Sequence, residues 1–183
     1  MYISKSLQNT KIAKFLITVF LGTVLLTISA KIKIPFYPVP MTMQTFVVLL
    51  MGITFGWKIG VATVSLYLFE GIIGLPVFSG TPEKGIGLTY FTGPTMGYLI
   101  GFLVATFFAG HMNLRKNFFV IFFKLIFSVS TIYILGMLWL GNFVGWDKPI
   151  FKLGATPFLL AELFKISLLT FLTKILINFR KSI

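Results

Sequence analysis

Six long apolar runs, separated by short polar connections, constrain this chain more than any other feature. They cover about residues 12–30, 43–56, 58–73, 94–110, 117–141 and 157–179. A helix that crosses a bilayer needs about 20 apolar residues, and shorter helices suffice where they are buried among others. Only 11% of the residues are charged, against about 25% in soluble domains. The sequence therefore predicts a single all-α integral membrane domain over residues 1–183, built as a bundle of six transmembrane helices.

The second and third runs are short for full spans, and Gly56-Trp57-Lys58 lies between them. A connection of this length predicts that the two helices form an antiparallel pair. The first run follows Lys5, Lys11 and Lys14 but is too long for the apolar region of an ordinary signal peptide, so we interpret it as a retained helix.

The distribution of basic residues predicts the orientation of the bundle. If the amino terminus is cytoplasmic, nine Lys and Arg residues of the connections lie inside and five lie outside. The inner group comprises Lys5, Lys11, Lys14, Lys58, Arg115, Lys116, Lys174, Arg180 and Lys181, and the outer group Lys31, Lys33, Lys84, Lys148 and Lys152. Both termini are therefore expected to be cytoplasmic. The net charge of +12 is spread over helix ends, which favours lipid headgroups over nucleic acid as its partner.

Three unusual connections fall on the outer side in this orientation, at about 31–42, 74–93 and 142–155. The first contains three prolines, which fix φ and remove backbone donors, so we expect a stiff extended strip. Long, structured connections are common sites of function.

Helix starts on the same side are marked by capping residues and prolines: Thr42, Thr92 with Pro94, and Thr156 with Pro157. Three helix amino termini would thus converge near the outer loops. Their partial positive charges favour an anionic ligand there.

Two acidic residues, Glu70 and Glu162, lie within apolar segments, where an ionisable side chain usually marks a functional site. Lys165 follows Glu162 by three residues, so the two side chains share one helix face. Two interpretations stay open for this pair. It either forms part of a ligand site or is an internal ion pair that allows both groups to be buried.

Catalytic motifs are missing from the sequence. It has no Cys, no paired acids, no nucleophile elbow, no zinc-binding HExxH and no phosphate-binding Walker A loop. We therefore expect no enzymatic activity, no metal site and no cofactor. Any ATP hydrolysis would come from a partner, and the residues favour binding or transport of a small solute from outside.

Four sequence blocks form a pattern typical of one family. They run from Pro38 to Thr45 (PVPMTMQT), Tyr67 to Phe78 (YLFEGIIGLPVF), Thr92 to Phe102 (TGPTMGYLIGF) and Pro157 to Lys165 (PFLLAELFK). In this order they resemble the BioY family, the biotin-binding S components of energy-coupling factor (ECF) transporters. The resemblance spans about residues 35–170.

The resemblance implies a six-helix bundle of the S-component type with a biotin pocket on its outer side. The loops at about 31–42 and 74–93 would form lids over the pocket. It further implies two kinds of partner, a membrane T component and a pair of ATPase subunits, and a location in the bacterial plasma membrane. Biotin needs acceptors for its ureido N–H groups, donors for its ureido carbonyl and a cation for its valerate.

Residue by residue, the resemblance assigns the binding of biotin to a limited set of side chains. Glu162 stands where the family usually has Asp, as an acceptor for ureido N–H, and Lys165 is the expected partner of the valerate or the ureido carbonyl. The remaining expected contacts are Gln44, Tyr98, Glu70, Ser79, Gly80, Tyr90 and Lys84. Lys84 or the helix amino termini would replace an Asn and an Arg of the family that this chain lacks between Gly74 and Gly101.

Two alternative functions remain compatible with the residues. One is an S component for another vitamin, which would share the fold without the same motifs. The other is a structural subunit of a membrane complex, in which Glu162 and Lys165 would only pair with each other. On the first helix, Thr18, Gly22 and Thr23 are the nearest equivalents of the small-residue pattern that docks the T component in the family.

Overall fold

The computed structural model describes the backbone of residues 2–182 and the side chains of residues 10–173 and 175–177. Its helices are α1 (Tyr2–Lys31), α2 (Gln44–Ile72), α3 (Leu88–Phe91), α4 (Met96–Gly110), α5 (Phe118–Val144), α6 (Ile150–Gly154) and α7 (Leu159–Ser182), with a single 3-10 turn over Thr156–Phe158. The strands β1 (Lys33–Ile34) and β2 (Met41–Thr42) form an antiparallel pair. Of the basic residues used to predict the orientation, Lys5, Lys174, Arg180 and Lys181 have side chains outside the described set.

Four helical segments in the described part of the chain are long and apolar enough to cross a membrane. They are Thr10–Lys31, Gln44–Ile72, Phe118–Val144 and Ile150–Thr173. Their outward faces carry large apolar side chains, including Leu160 at 82% exposed and Phe119 at 69%. Such faces are stable against lipid because acyl chains solvate them as well as a protein core does.

Helix α2 reverses direction at Gly56. The backbone there has φ 78° and ψ 172°, a conformation that suits glycine because it has no Cβ. Gln44 and Tyr67 would lie about 34 Å apart in a straight helix, yet their side chains are joined by a hydrogen bond of 2.7 Å. The limbs 44–55 and 57–72 are therefore antiparallel.

Close helix packing fixes the bundle. A Cβ added at Gly101 of α4 would lie 2.6 Å from the Cα of Ile132 in α5, so only glycine allows this separation of the two helices. On α1, Gly22 faces Thr63 of α2 in the same way. Gly22 and Gly101 thus allow close helix contacts within the chain.

The two ends of the bundle differ. The end that carries β1, β2, α3 and α6 is called the loop end here, and the end that carries the reversal at Gly56 and residues 111–117 the turn end. The expected outer loops are more ordered than the sequence indicates, since 74–93 contains α3, and 142–155 contains the last residues of α5 and all of α6.

Helix starts at the loop end also differ from expectation. The N-cap residues are Met43 for α2 and Thr95 for α4, neither with a side-chain capping bond, and Thr156 begins a 3-10 turn instead of capping an α-helix. Thr42 instead accepts a long bond of 3.3 Å from the Gln44 backbone N–H. The backbone is arranged here by tertiary contacts as well as by local capping.

Candidate functional site

A buried ion pair connects α7 to the start of α2 at the loop end. The Lys165 ammonium donates to Glu162 Oε1 at 2.8 Å, to Thr45 Oγ1 at 2.9 Å and to the Thr42 carbonyl at 2.7 Å. The Thr45 hydroxyl in turn donates to Glu162 Oε1 at 2.8 Å. Both charged side chains are only 6% exposed. Buried charges require this degree of pairing, because an isolated one would lose its hydration without compensation.

The two oxygens of the Glu162 carboxylate differ in their surroundings. Oε1 accepts from both Lys165 and Thr45, whereas Oε2 is buried without a partner in good hydrogen-bond geometry among the described residues, and the Tyr133 hydroxyl faces the carboxylate. A buried acceptor without a donor is costly and rare. The site therefore presents an acceptor that suits an N–H or O–H donor from a ligand.

Glu162 lines a cavity of about 50 Å³ between α2, α4, α5 and α7, which β2 and the segment around Ser79 close on the loop side. Its walls are mostly aromatic and aliphatic, with polar atoms from Thr42, Gln44, Thr45, Ser79, Thr95 and Glu162. The aromatic walls are Tyr90, Tyr98, Phe102, Tyr133 and Phe158. Apolar walls with a few fixed polar groups are typical of small-molecule sites.

A second group of hydrogen bonds holds the wall opposite Glu162. Gln44 donates to the Tyr67 hydroxyl at 2.7 Å, and that hydroxyl donates to the Val77 carbonyl at 3.1 Å. Ser79 and Tyr90 approach each other at 3.4 Å. Phe78 is almost fully buried, with ring centroids 4.7 Å from Tyr90 and 5.3 Å from Tyr67. The segment 77–81 is thus packed onto the bundle by its own side chains.

Two lysines fasten the same segment to α1 and β1. The Lys31 ammonium donates to the Phe78 carbonyl at 2.8 Å and to both oxygens of Thr81 at 3.2 Å. Lys33 donates to the Ser79 carbonyl at 2.6 Å and lies 3.8 Å from Glu83. We call these contacts the lysine clasp. It ties the first outer connection to the second one above the cavity.

The structure brings together most of the side chains singled out in the sequence. Gln44, Ser79, Tyr90, Tyr98 and Glu162 line the cavity. Lys165 lies behind Glu162, with its three N–H bonds directed to protein acceptors. The internal ion pair, one of the two interpretations of the sequence, is therefore present, and Glu162 still faces the cavity.

Three expected contacts lie apart from the cavity. Glu70 accepts a hydrogen bond of 2.9 Å from Thr23 of α1. Lys84 is exposed and lines a separate surface cleft of about 280 Å³. Gly80 packs against the Lys84 side chain. Tyr90 lines both the cavity and the cleft, so it stands between Lys84 and the other site residues.

Some site residues escaped the sequence reasoning. Tyr133 and Phe158 give no local signal, because aromatic side chains in apolar helices are usually core residues. Thr45 could have been assigned from the sequence, because it lies beside Gln44 at the start of α2. Among the described residues, no group of three or more His, Asp or Glu side chains is placed to hold a metal ion.

Comparisons with known proteins agree on one family. The family model described as the BioY family matches residues 4–181. A probable biotin transporter BioY of Pyrococcus horikoshii is 35% identical over 84% of this chain and 90% of its own length. The biotin transporter BioY of Thermotoga maritima is also 35% identical, over 79% of this chain and 84% of its own.

A solved structure has the same fold. It is the crystal structure of the S-component for biotin from an ECF-type ABC transporter. The two chains superpose with a TM-score of 0.77 at 25% sequence identity, covering 93% of this chain and 94% of the other.

Proposed function

The chain belongs to the BioY family, and we propose that it takes up biotin as the biotin-binding S component of an ECF-type transporter. It is a multi-pass membrane protein and not an enzyme. The further expectations that it lies in a bacterial plasma membrane and works with a T component and two ATPase subunits belong to the proposal. Its sequence contains no phosphate-binding Walker A loop, so any ATP hydrolysis that drives transport would come from a partner.

The unpartnered Oε2 of Glu162, facing a largely apolar cavity, is the observation that carries the proposal. A ureido ring offers two N–H donors, and one of them would complete the hydrogen bonding of this oxygen. The bond would be charge-assisted, which makes it shorter and stronger than a neutral one. The thiophane ring of biotin would then lie against the aromatic walls.

Lys165 would act mainly through Glu162. All three of its N–H groups are used by Glu162, Thr45 and Thr42, so direct contact with biotin requires the exchange of one of these bonds. As it stands, Lys165 supplies the counter-charge of Glu162 and fixes its rotamer. The ureido carbonyl can instead accept from hydroxyls of the cavity wall, of which Ser79 and Tyr90 are only weakly bonded to each other.

The valerate needs a cation, and Lys84 is the candidate on the loop side, because the ammonium groups of Lys31 and Lys33 donate to backbone carbonyls there. It lines the cleft that Tyr90 separates from the cavity. We place the bicyclic ring beside Glu162 and the valerate past Tyr90 toward Lys84. Gly80 would allow the Lys84 side chain to lie close to the backbone there. Glu70, bonded to α1, would support the bundle without touching biotin.

Binding requires the cavity to widen. Its volume of about 50 Å³ is well below the roughly 300 Å³ at which small-molecule sites begin. The connections 31–42 and 74–93 are the natural lids, because they close the loop end and are held there by the lysine clasp. Movement of the clasped segments would open the cavity to the outer solution.

The topology completes the proposal. The proposed bundle would have six membrane helices, namely α1, the two limbs of α2, α4, α5 and α7. The count from the sequence, nine basic residues on the side of the termini against five in the other connections, favours cytoplasmic termini. The loop end, with the cavity, would then face outward.

A titration of purified full-length protein with biotin tests the proposal. We expect one-to-one binding by calorimetry, weakened about 10- to 100-fold in Glu162→Gln, which loses one charge-assisted hydrogen bond. Since this change leaves Lys165 buried without its counter-charge, Glu162→Gln/Lys165→Met should be measured beside it, with thermal unfolding as a check of the fold. Asp147→Asn, an exposed acid at the same end, is the matched control.

Two results would contradict the proposal. One is the absence of heat and of thermal stabilisation with biotin, while another vitamin produces both. The other is a folded double variant that binds biotin as tightly as the wild type, which would show that the cavity beside Glu162 is not the site.

A further inference from the structure

A basic cavity at the turn end is unrelated to the site just described. It has a volume of about 220 Å³ and lies between the end of α4 and the first half of α5. Its lining is formed by Phe108, His111, Met112, Lys124, Phe127 and Ser128. The cavity combines two basic side chains with apolar walls, and it lies at the opposite end of the bundle from Glu162.

Among the described residues, Lys124 has no carboxylate partner. All four acidic side chains of the chain are placed elsewhere: Glu83 beside Lys33, Asp147 beside Lys148, Glu162 beside Lys165, and Glu70 bonded to Thr23. The lysine is exposed and begins about 9 Å along α5 from Phe118, at 1.5 Å per residue. A lysine this close to a helix end can extend its ammonium to the headgroup level, where an anionic lipid can supply the counter-charge.

His111 is held rigidly beside this cavity. Its Nδ1 lies 2.9 Å from the Phe107 carbonyl, which assigns the proton to Nδ1, and its ring stacks on Trp57 at 5.1 Å. The Lys58 ammonium lies over the same Trp57 ring, 5.7 Å from its centroid. The imidazole is therefore fixed in orientation, with its Nε2 edge left for other contacts.

The apolar walls indicate which anion fits. Phe108 and Phe127 meet at 5.0 Å between ring centroids and are both exposed on the lipid-facing surface. Acyl chains can lie along these rings while a phosphate reaches the basic groups above them. We propose that this cavity binds the headgroup of an anionic glycerophospholipid, with Lys124 contacting the phosphate and His111 lining the headgroup space.

Retention of lipid by the purified full-length chain tests this assignment. In detergent with equal amounts of phosphatidylglycerol and phosphatidylcholine, native mass spectrometry should show preferential retention of one phosphatidylglycerol. In Lys124→Met this preference should fall about fivefold, the change expected for one lysine against an anionic headgroup. Lys124→Arg should retain it.

Lys152→Met is the control, because it removes the same charge from an exposed position of α6 at the loop end. It should behave as the wild type. An equal fall of the phosphatidylglycerol preference in Lys152→Met and Lys124→Met would overturn the proposal, since the preference would then reflect general charge. An unchanged preference in both variants would overturn it as well. Displacement of the lipid by millimolar inorganic phosphate would also overturn it, because the cavity would then be a site for a small anion. Biotin binding should be the same in all these variants.

Discussion

Lys31→Met should release biotin faster than the wild type, because it opens half of the lysine clasp. The substitution keeps most of the apolar stem and removes three hydrogen bonds, to the Phe78 carbonyl and to both oxygens of Thr81. Hydrogen bonds to a charged donor contribute about 1.5–3 kcal/mol when buried. Since Lys31 is largely exposed, we expect about 1.5 kcal/mol in total, which is roughly tenfold in rate.

The dissociation rate can be measured by loading the purified protein with labelled biotin and adding an excess of unlabelled biotin. The double variant Lys31→Met/Lys33→Met also removes the bond to the Ser79 carbonyl and should release biotin faster still. Lys148→Met is the matched control, because this exposed lysine pairs with its neighbour Asp147. Unchanged release in both clasp variants would refute the idea that these segments close the site.

Two further predictions concern the packing that supports the site. Tyr98→Phe removes the hydroxyl that donates to the Gly154 carbonyl at 2.8 Å and should lower the free energy of unfolding by about 1–2 kcal/mol. Thermal unfolding in detergent measures this change. The control is Tyr37→Phe, since Tyr37 is 88% exposed. Gly101→Ala adds a methyl group 2.6 Å from the Ile132 Cα and should destabilise the bundle by about 1–3 kcal/mol. The control is Ile100→Ala, on the exposed side of the same helix, which should have a smaller effect. An unchanged melting temperature in Gly101→Ala would contradict this prediction and show that α4 and α5 separate easily.

The class of protein could be predicted because it depends on local sequence. Hydropathy identified a helical membrane protein, and the four motif blocks identified the family, which the comparisons confirm. The pairing of Glu162 with Lys165 also follows from local geometry, since residues three apart share a helix face. The short helices α3 and α6, of four and five residues, were missed because they contain too few turns to show a period.

Contacts between distant segments could not be predicted. Thr45 meets Glu162 across 117 residues, and Lys31 meets Phe78 across 47. The place of Glu70 depends on how the second limb of α2 is rotated, which turned it toward Thr23 and away from the cavity. For biotin contacts, the assigned residues stay a prediction until the titration is done.

The reversal at Gly56 has an electrical consequence. The limb 44–55 is about 18 Å long, whereas the hydrocarbon core of a bilayer is about 30 Å thick. With the turn at one boundary of the membrane, Gln44 and the cavity beside it lie well below the opposite headgroups. The uncharged ring of biotin placed beside Glu162 would lie inside the membrane field, whereas the valerate placed at the Lys84 cleft would stay near its outer edge. A full crossing changes the energy of one charge by about 2.3 kcal/mol per 100 mV, so occupancy would depend on the concentration outside and only weakly on the voltage of the cell.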